Sequence, residues 1–200
     1  MPLVHYAARE IVCKLVYYGP ARSGKTTNLQ WVHRAIPESH RSDMISLATE
    51  NDRTLFFDYL PLELGQVSGF RTRFQLYTVP GQVYYNATRK LVLRGADGVV
   101  FVADSQPGRQ EDNLESLRNL QENLLEHGFD VREMPLVIQY NKQDLEDALP
   151  AEELDATLNF RDVPARPAEA IRGLGVLETL RAASELVLRG LSRPNVPTAG

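Results

Sequence analysis

The sequence predicts a single α/β domain with a mostly parallel six-stranded sheet, one antiparallel strand, and helices on both faces. Two apolar runs without alternation, at 98–103 and 136–140, are typical of central parallel strands covered on both sides. Between them, residues 112–127 carry leucines at helical spacing. Strands that alternate with helices in this way build a doubly wound sheet.

The elements follow one another along the chain without a linker or repeat. A β-branched run at 11–18 predicts the first strand, and residues 26–35 predict a helix that Pro37 ends. A Ser68-Gly69 turn precedes an alternating segment at 71–78, which fits an antiparallel strand with one wet face. Two further helices are predicted at 151–158 and 176–189. We expect one domain over 1–200, with 1–8 and 192–200 flexible.

Composition and charge exclude several classes of protein. The chain has 200 residues and a formal net charge of −4, which gives no global attraction to nucleic acid or anionic lipid. Cys13 is the one cysteine, so no intramolecular disulfide can form and a reducing compartment is favoured. No signal peptide, membrane span or prenylation motif is present. We therefore expect a cytoplasmic protein without a stable membrane anchor and without a nucleic-acid partner.

A glycine-rich motif follows the first strand and opens the first helix. Residues 19–26 read GPARSGKT and match G-x-x-x-x-G-K-[ST], the loop that binds phosphates in P-loop proteins. Backbone N–H groups here can cradle phosphates, the Lys25 ammonium can reach the β- and γ-phosphates, and the Thr26 hydroxyl can bind Mg²⁺. The expected phosphate-binding residues are Gly19, Ala21, Arg22, Ser23, Gly24, Lys25, Thr26 and Thr27.

The tetrapeptide NKQD at 141–144 comes directly after the strand at 136–140. The Asp144 carboxylate can accept hydrogen bonds from N1–H and from the 2-amino group of guanine, and adenine has neither donor. The motif therefore predicts GTP and GDP as ligands, with Asn141, Lys142 and Asp144 as guanine-binding residues.

The segment TVPGQ at 78–82 ends the third predicted strand, where P-loop hydrolases usually carry D-x-x-G. Gly81 can give its backbone N–H to the γ-phosphate, and Gln82 is suited to orienting the attacking water. Thr78 stands where an aspartate is expected. A neutral hydroxyl binds Mg²⁺ only weakly or through a water, so the affinity for the metal is in doubt.

The segment ENDRTLFFD at 50–58 lies where a first switch is expected, between the P-loop helix and the next strand. We expect Thr54 to close over Mg²⁺ and the γ-phosphate, and Arg53 to put a guanidinium on the transferred phosphoryl group. The apolar residues 55–57 are either part of the core or a partner surface.

Strings from Tyr6 to Leu188, nearly the whole chain, closely resemble the MglA family of bacterial Ras-like GTPases, which act in cell polarity and in gliding and pilus-based motility. They include REIVCKLVYYGP, SGKTTNLQW, DRTLFFDYLPLELG and VIQYNKQDL. A threonine replaces the usual aspartate in that family, as Thr78 does here. The resemblance implies a Ras-like fold and slow GTP hydrolysis with Mg²⁺. It also implies an intrinsic arginine finger at Arg53, a water-orienting Gln82 and a Mg²⁺-linked Thr54.

The resemblance also implies partners. The activator in that family is MglB, a homodimeric Roadblock-fold protein that reorganises the switches in place of inserting an arginine. Other polarity or motility effectors would bind the switch regions and recruit the protein to the cell poles.

Two positions depart from the Ras-like pattern. The tripeptide that backs guanine would fall at 170–172 and is degenerate, so Ala170 and Ile171 are expected to contact the base through the backbone. Ala21 replaces a glycine, and its Cβ would crowd the approach of Gln82. Two hypotheses stay open: a slow GTP-hydrolysing switch, and a GTP-loaded scaffold with negligible hydrolysis. An adenylate-type kinase would need a lid domain for which the chain has no spare sequence.

Overall fold

The chain folds into a central sheet between two layers of helices in a computed structural model. The structure describes the backbone of residues 2–49 and 53–191, and the side chains of 2–46, 57–82 and 84–191. The strands are β1 (Leu3–His5), β2 (Glu10–Tyr18), β3 (Ile45–Thr49), β4 (Arg53–Val67), β5 (Phe70–Thr78), β6 (Gly98–Asp104), β7 (Leu136–Asn141) and β8 (Ala165–Ala168). The helices are α1 (Lys25–Ala35), α2 (Asn86–Leu93), α3 (Gln110–Glu126), α4 (Ala151–Leu158) and α5 (Val176–Leu191).

The strands form one sheet in the order β3-β4-β5-β2-β6-β7-β8, with β1 paired to β2. Strands β2, β5, β6, β7 and β8 are parallel to their neighbours in this set, while β4 and β1 run the other way. The predicted mostly parallel α/β class is confirmed. The described strands number eight instead of six, and two of them are antiparallel instead of one. Strands β1 and β8 have only 3 and 4 residues, too few for a readable hydrophobic period.

Helices cover both faces of the sheet. Helices α1 and α5 pack Leu29, Val32 and Leu180 against one face, and α3 packs Leu120 and Leu124 against the other. Strands β6 and β7 are buried along their whole length, as their uninterrupted apolar runs predict. None of the helices in the described part of the chain is long and apolar enough to cross a membrane.

A tight hairpin turn joins β4 to β5. Ser68 and Gly69 both have positive φ angles, of 52° and 80°, which matches the twist that two-residue hairpin turns require. Beyond it, β5 alternates buried and less buried residues and pairs antiparallel with β4, but it pairs parallel with β2. The strand that runs against the sheet here is therefore β4, and not the segment 71–78 that we expected.

The three sequence motifs come together because they follow strands of the same direction. The glycine-rich loop follows β2, the TVPGQ segment ends β5, and the NKQD segment follows β7. The carboxyl ends of parallel strands lie at one edge of a sheet, which is where open α/β sheets bind ligands.

Candidate nucleotide-binding site

The glycine-rich loop passes so close to Val102 and Asn141 that neither of its two glycines can carry a side chain. A Cβ on Gly19 would lie 2.2 Å from the Val102 carbonyl oxygen, and one on Gly24 would lie 2.1 Å from Asn141 Nδ2. Both glycines also have positive φ angles, of 143° and 100°. The loop is therefore held against β6 and against the NKQD motif.

The loop contains a buried cation and a buried hydroxyl. Lys25 Nζ donates to the carbonyls of Gly19 (3.0 Å) and Pro20 (2.6 Å). Burial, reinforced by the nearby positive charge of Arg89, lowers the pKa of Lys25 to about 7. The Ser23 hydroxyl is buried and has no hydrogen-bonding partner among the described residues. A buried ammonium beside an unsatisfied donor is an arrangement that an anionic phosphate would complete.

A carboxylate that the sequence reasoning missed lies beside Thr26. Asp58, on β4, is fully buried, and its Oδ2 accepts hydrogen bonds from Thr26 Oγ1 (2.7 Å) and from Thr78 Oγ1 (2.8 Å). Its other oxygen accepts from Ser46 Oγ (2.5 Å), and its backbone N–H donates to Thr78 Oγ1 (2.8 Å). The Thr78 hydroxyl, which we expected to contact Mg²⁺ through a water, is thus directed at Asp58.

Asp58 supplies from β4 the carboxylate that β5 lacks at Thr78. Tyr59 of β4 pairs with Tyr77 of β5, so Asp58 and Thr78 are neighbours across the antiparallel ladder. Counting outward from the Ser68-Gly69 turn would instead place Thr78 opposite Tyr59, because a bulge between Glu63 and Gln66 shifts the register by one residue. A buried carboxylate beside a threonine hydroxyl is an all-oxygen donor set, which fits Mg²⁺.

The TVPGQ segment lies directly against the P-loop. A Cβ on Gly81 would come within 2.3 Å of Ala21 Cα, so the two backbones are in contact. Gln82 lines a cleft of about 490 Å³ together with P-loop residues that include Arg22, Thr26 and Thr27. Its Oε1 accepts a hydrogen bond from the Tyr84 hydroxyl (2.5 Å).

The first-switch residues are only partly described. The backbones of Arg53 and Thr54 lie at the start of β4. The side chains of Arg53 and Thr54 lie outside the described residues, and so does the whole of 50–52. The roles expected for Arg53 and Thr54 therefore stay predictions.

At the guanine end, Asn141 joins two loops. Its Nδ2 donates to the Ser23 carbonyl (2.7 Å), and its Oδ1 accepts from the Ala170 N–H (2.9 Å). Lys142 has a positive φ of 74° and donates from Nζ to Asp104 Oδ2 (2.6 Å). The half-buried Asp144 has no hydrogen-bonding partner within the described residues. Its carboxylate is therefore available to a ligand.

The loop at 170–173 is held by Trp31. A Cβ on Gly173, which has a φ of 82°, would lie 1.7 Å from the Trp31 ring, so only glycine fits there. Ala170 is buried and gives its N–H to Asn141, whereas Ile171 is exposed. Of the two residues expected to reach guanine, Ile171 is the one whose N–H is not taken by a described acceptor.

Arg109 is a second residue that no sequence motif marks. It follows β6, lines the cleft, and donates from Nη2 to the Ala21 carbonyl (2.8 Å). It also forms a close ion pair with Asp112, and its Nε lies 3.7 Å from Asp104 Oδ2. The Asp104 carboxylate therefore links Lys142 at the guanine end with Arg109 at the phosphate end.

Comparisons with known proteins agree with this geometry. Residues 50–185 match the ADP-ribosylation factor (Arf) family. The chain is 55% identical over 193 residues to "Mutual gliding-motility protein MglA" of Myxococcus xanthus (strain DK1622), covering 96% of this chain and 99% of that protein. It is 29% identical over 127 residues to "ADP-ribosylation factor-like protein 4D" of Mus musculus, covering 60% and 61% of the two chains. The chain therefore belongs to the Arf and MglA group of Ras-like small GTPases, which are GTP hydrolases.

Proposed function

We propose that the chain is a Mg²⁺-dependent GTP/GDP switch that regulates bacterial cell polarity and gliding or pilus motility through partners of its switch regions. The observation that carries this proposal is the continuous polar arrangement from Asp58 and Thr26, through the P-loop, to Asn141 at the guanine motif. The identity to a gliding-motility protein over 96% of the chain supports the biological role.

The residues of the site divide the work of hydrolysis. Backbone N–H groups of the P-loop and Lys25 bind the phosphates, and Gln82 orients the attacking water. Arg53 stabilises charge on the transferred phosphoryl group. Mg²⁺, when bound, supplies further neutralisation of phosphate charge, and the residues that would hold it are Thr26, Thr54 and Asp58. Thr78 positions Asp58 through its hydroxyl.

We infer that a Roadblock-fold homodimer of the MglB kind is the activator, and that it and polarity effectors bind the switches. Tyr84, beside Gln82, is exposed and would lie in that surface. Under this proposal the protein is cytoplasmic, and such partners recruit it to the cell poles. The activator should bind the GTP-analogue form more tightly than the GDP form. Equal affinities would leave no free energy to shift the switch, and would refute this part.

Guanine specificity is the direct test of the site. Asp144→Asn should weaken GTP binding by about 1–3 kcal/mol, because a doubly accepting carboxylate is lost. The same variant should gain affinity for xanthosine triphosphate, whose C2 carbonyl can accept from the new amide. Isothermal titration with GTP, ATP and xanthosine triphosphate measures both, with Asp147→Asn, an exposed neighbour, as the control. If the unmodified protein bound ATP as tightly as GTP, the proposed guanine specificity would be wrong.

Ala21 decides between the switch and the scaffold. Gly81 lies against the Ala21 backbone, and Ala21 and Gln82 line the same cleft, so we expect the Ala21 methyl to take up space that Gln82 needs when it approaches the phosphates. Ala21→Gly should therefore raise single-turnover GTP hydrolysis with saturating activator by about tenfold or more, without changing GTP affinity. Equal rates in Ala21→Gly and the unmodified protein would show that the Ala21 methyl does not slow hydrolysis, and that the protein cycles between GTP and GDP as an ordinary switch. Negligible turnover of the unmodified protein would favour the GTP-loaded scaffold.

A further inference from the structure

Arg89 is a fully buried cation on α2, and none of the sequence motifs includes it. Its Nη2 donates to Ser116 Oγ (2.7 Å) and to the Gly19 carbonyl of the P-loop (3.4 Å). Its guanidinium carbon lies 4.3 Å from the centre of the Tyr18 ring. Its Nε and Nη1 are buried and have no hydrogen-bonding partner among the described residues.

The groups around Arg89 do not neutralise its charge. Tyr18 stays neutral, because burial raises its pKa to about 12, and its hydroxyl donates to Asn119 Oδ1 and accepts from Asn123 Nδ2. Glu115 is the acidic residue that acts on Arg89, but it is exposed and therefore screened by solvent. Buried charges in proteins are normally paired, so this guanidinium favours an anion nearby.

The contact with Gly19 brings Arg89 to the back of the phosphate site. The Gly19 carbonyl accepts from two cations, Lys25 Nζ at 3.0 Å and Arg89 Nη2 at 3.4 Å. The Lys25 ammonium has three N–H donors and uses two of them on carbonyls, so to bind both the β- and γ-phosphates it must give up or share one of these carbonyl bonds. When the bond given up is the longer one, to Gly19, Arg89 still supplies a donor to that carbonyl, and a buried carbonyl without a donor would cost free energy.

We propose that Arg89 is a positioning residue of the nucleotide site. It holds the Gly19 carbonyl from the α2 side, so that Lys25 is released to the phosphates, and its charge attracts the phosphates through the thin wall of the P-loop. The inference rests on the proposed phosphate-binding role of the P-loop. It adds that part of the affinity for phosphates comes from a helix beyond the loop itself.

The signature of such a cation is an effect that grows with the charge of the ligand. In Arg89→Met, which keeps the length of the side chain without its charge, binding of GMP should change by less than about twofold. GDP should bind about tenfold more weakly and GTP about thirtyfold more weakly. Arg89→Lys should recover part of the loss. Because the charge is buried, the differences should persist at about 0.5 M salt.

A matched control is Arg161→Met. Arg161 also donates to main-chain carbonyls, those of Val131, Arg132 and Met134, but at the far side of the molecule. Dissociation constants for GMP, GDP and GTP should be unchanged there. Thermal unfolding of each variant without nucleotide shows whether it folds, and Arg89→Met should not be less stable, since an uncompensated buried charge has been removed.

Two results would overturn the inference. One is an equal loss of affinity for all three nucleotides together with a lower melting temperature, which would make Arg89 a packing residue. The other is unchanged affinity for GTP in Arg89→Met. If instead the unmodified protein bound GDP no more tightly than guanosine, the proposed function of the P-loop would fail first, and the inference with it.

Discussion

Replacing Arg53 with alanine should cut activator-stimulated GTP hydrolysis by roughly 10³ or more while GTP affinity stays within about tenfold. The reason is that a guanidinium on the transferred phosphoryl group acts on charge that develops in the transition state. Ground-state binding depends instead on the P-loop, which Arg53 does not belong to. Single-turnover hydrolysis with saturating Roadblock partner measures the rate, and titration with a GTP analogue measures the affinity.

The control for this experiment is Arg53→Lys. Lysine keeps the charge but loses the planar fork, so it should restore only a small part of the rate. If Arg53→Ala turned over at the unmodified rate, Arg53 would be assigned to a structural ion pair. The arginine finger would then have to come from the partner.

Asp58→Asn should lower the affinity for Mg²⁺ and the hydrolysis rate by roughly 10²-fold, although the amide has the same shape as the carboxylate. The Asp58 carboxylate accepts from both Thr26 and Thr78, so neutralising it removes the buried negative charge beside the metal-binding hydroxyl. Release of a fluorescent GDP analogue, measured against Mg²⁺ concentration, reports this without any turnover.

A second substitution tests whether the carboxylate must stand on β4 or can equally stand on β5. Asp58→Asn combined with Thr78→Asp moves the carboxylate back to β5, and it should recover much of the Mg²⁺ affinity. Thr78→Ser keeps the supporting hydroxyl and should be close to neutral. A Mg²⁺ dependence in Asp58→Asn equal to that of the unmodified protein would remove Asp58 from the metal site.

The parts of the site that the sequence predicted are those in which a short motif carries its own geometry. The P-loop and NKQD are contiguous, so their residue types and spacing already specify where backbone and side chains lie. Asp58 and Arg109 act through partners 32 and 88 positions away in the chain. Their roles depend on strand register and helix packing, which single-residue patterns do not encode.

The same reasoning explains the missed elements. Helix α2 has 8 residues, follows a short 3₁₀ turn at 83–85, and has no side-chain cap at its start, so no local signal in the sequence marks where it begins. The two short strands β1 and β8 are set by pairing with β2 and β7. Tertiary contacts, and not local preference, decide whether such short segments are regular.

The contacts of Asn141 bear on how nucleotide selectivity can change in evolution. Asn141 is bonded to the P-loop and to the loop that backs the base, and its amide is in contact with Gly24. A substitution there would disturb phosphate and base binding together, and selection would see both losses at once. Asp144 has no such attachments within the described chain. We therefore expect that a single mutation at Asp144 can change the base preference, whereas a mutation at Asn141 would also disturb the two loops that it joins.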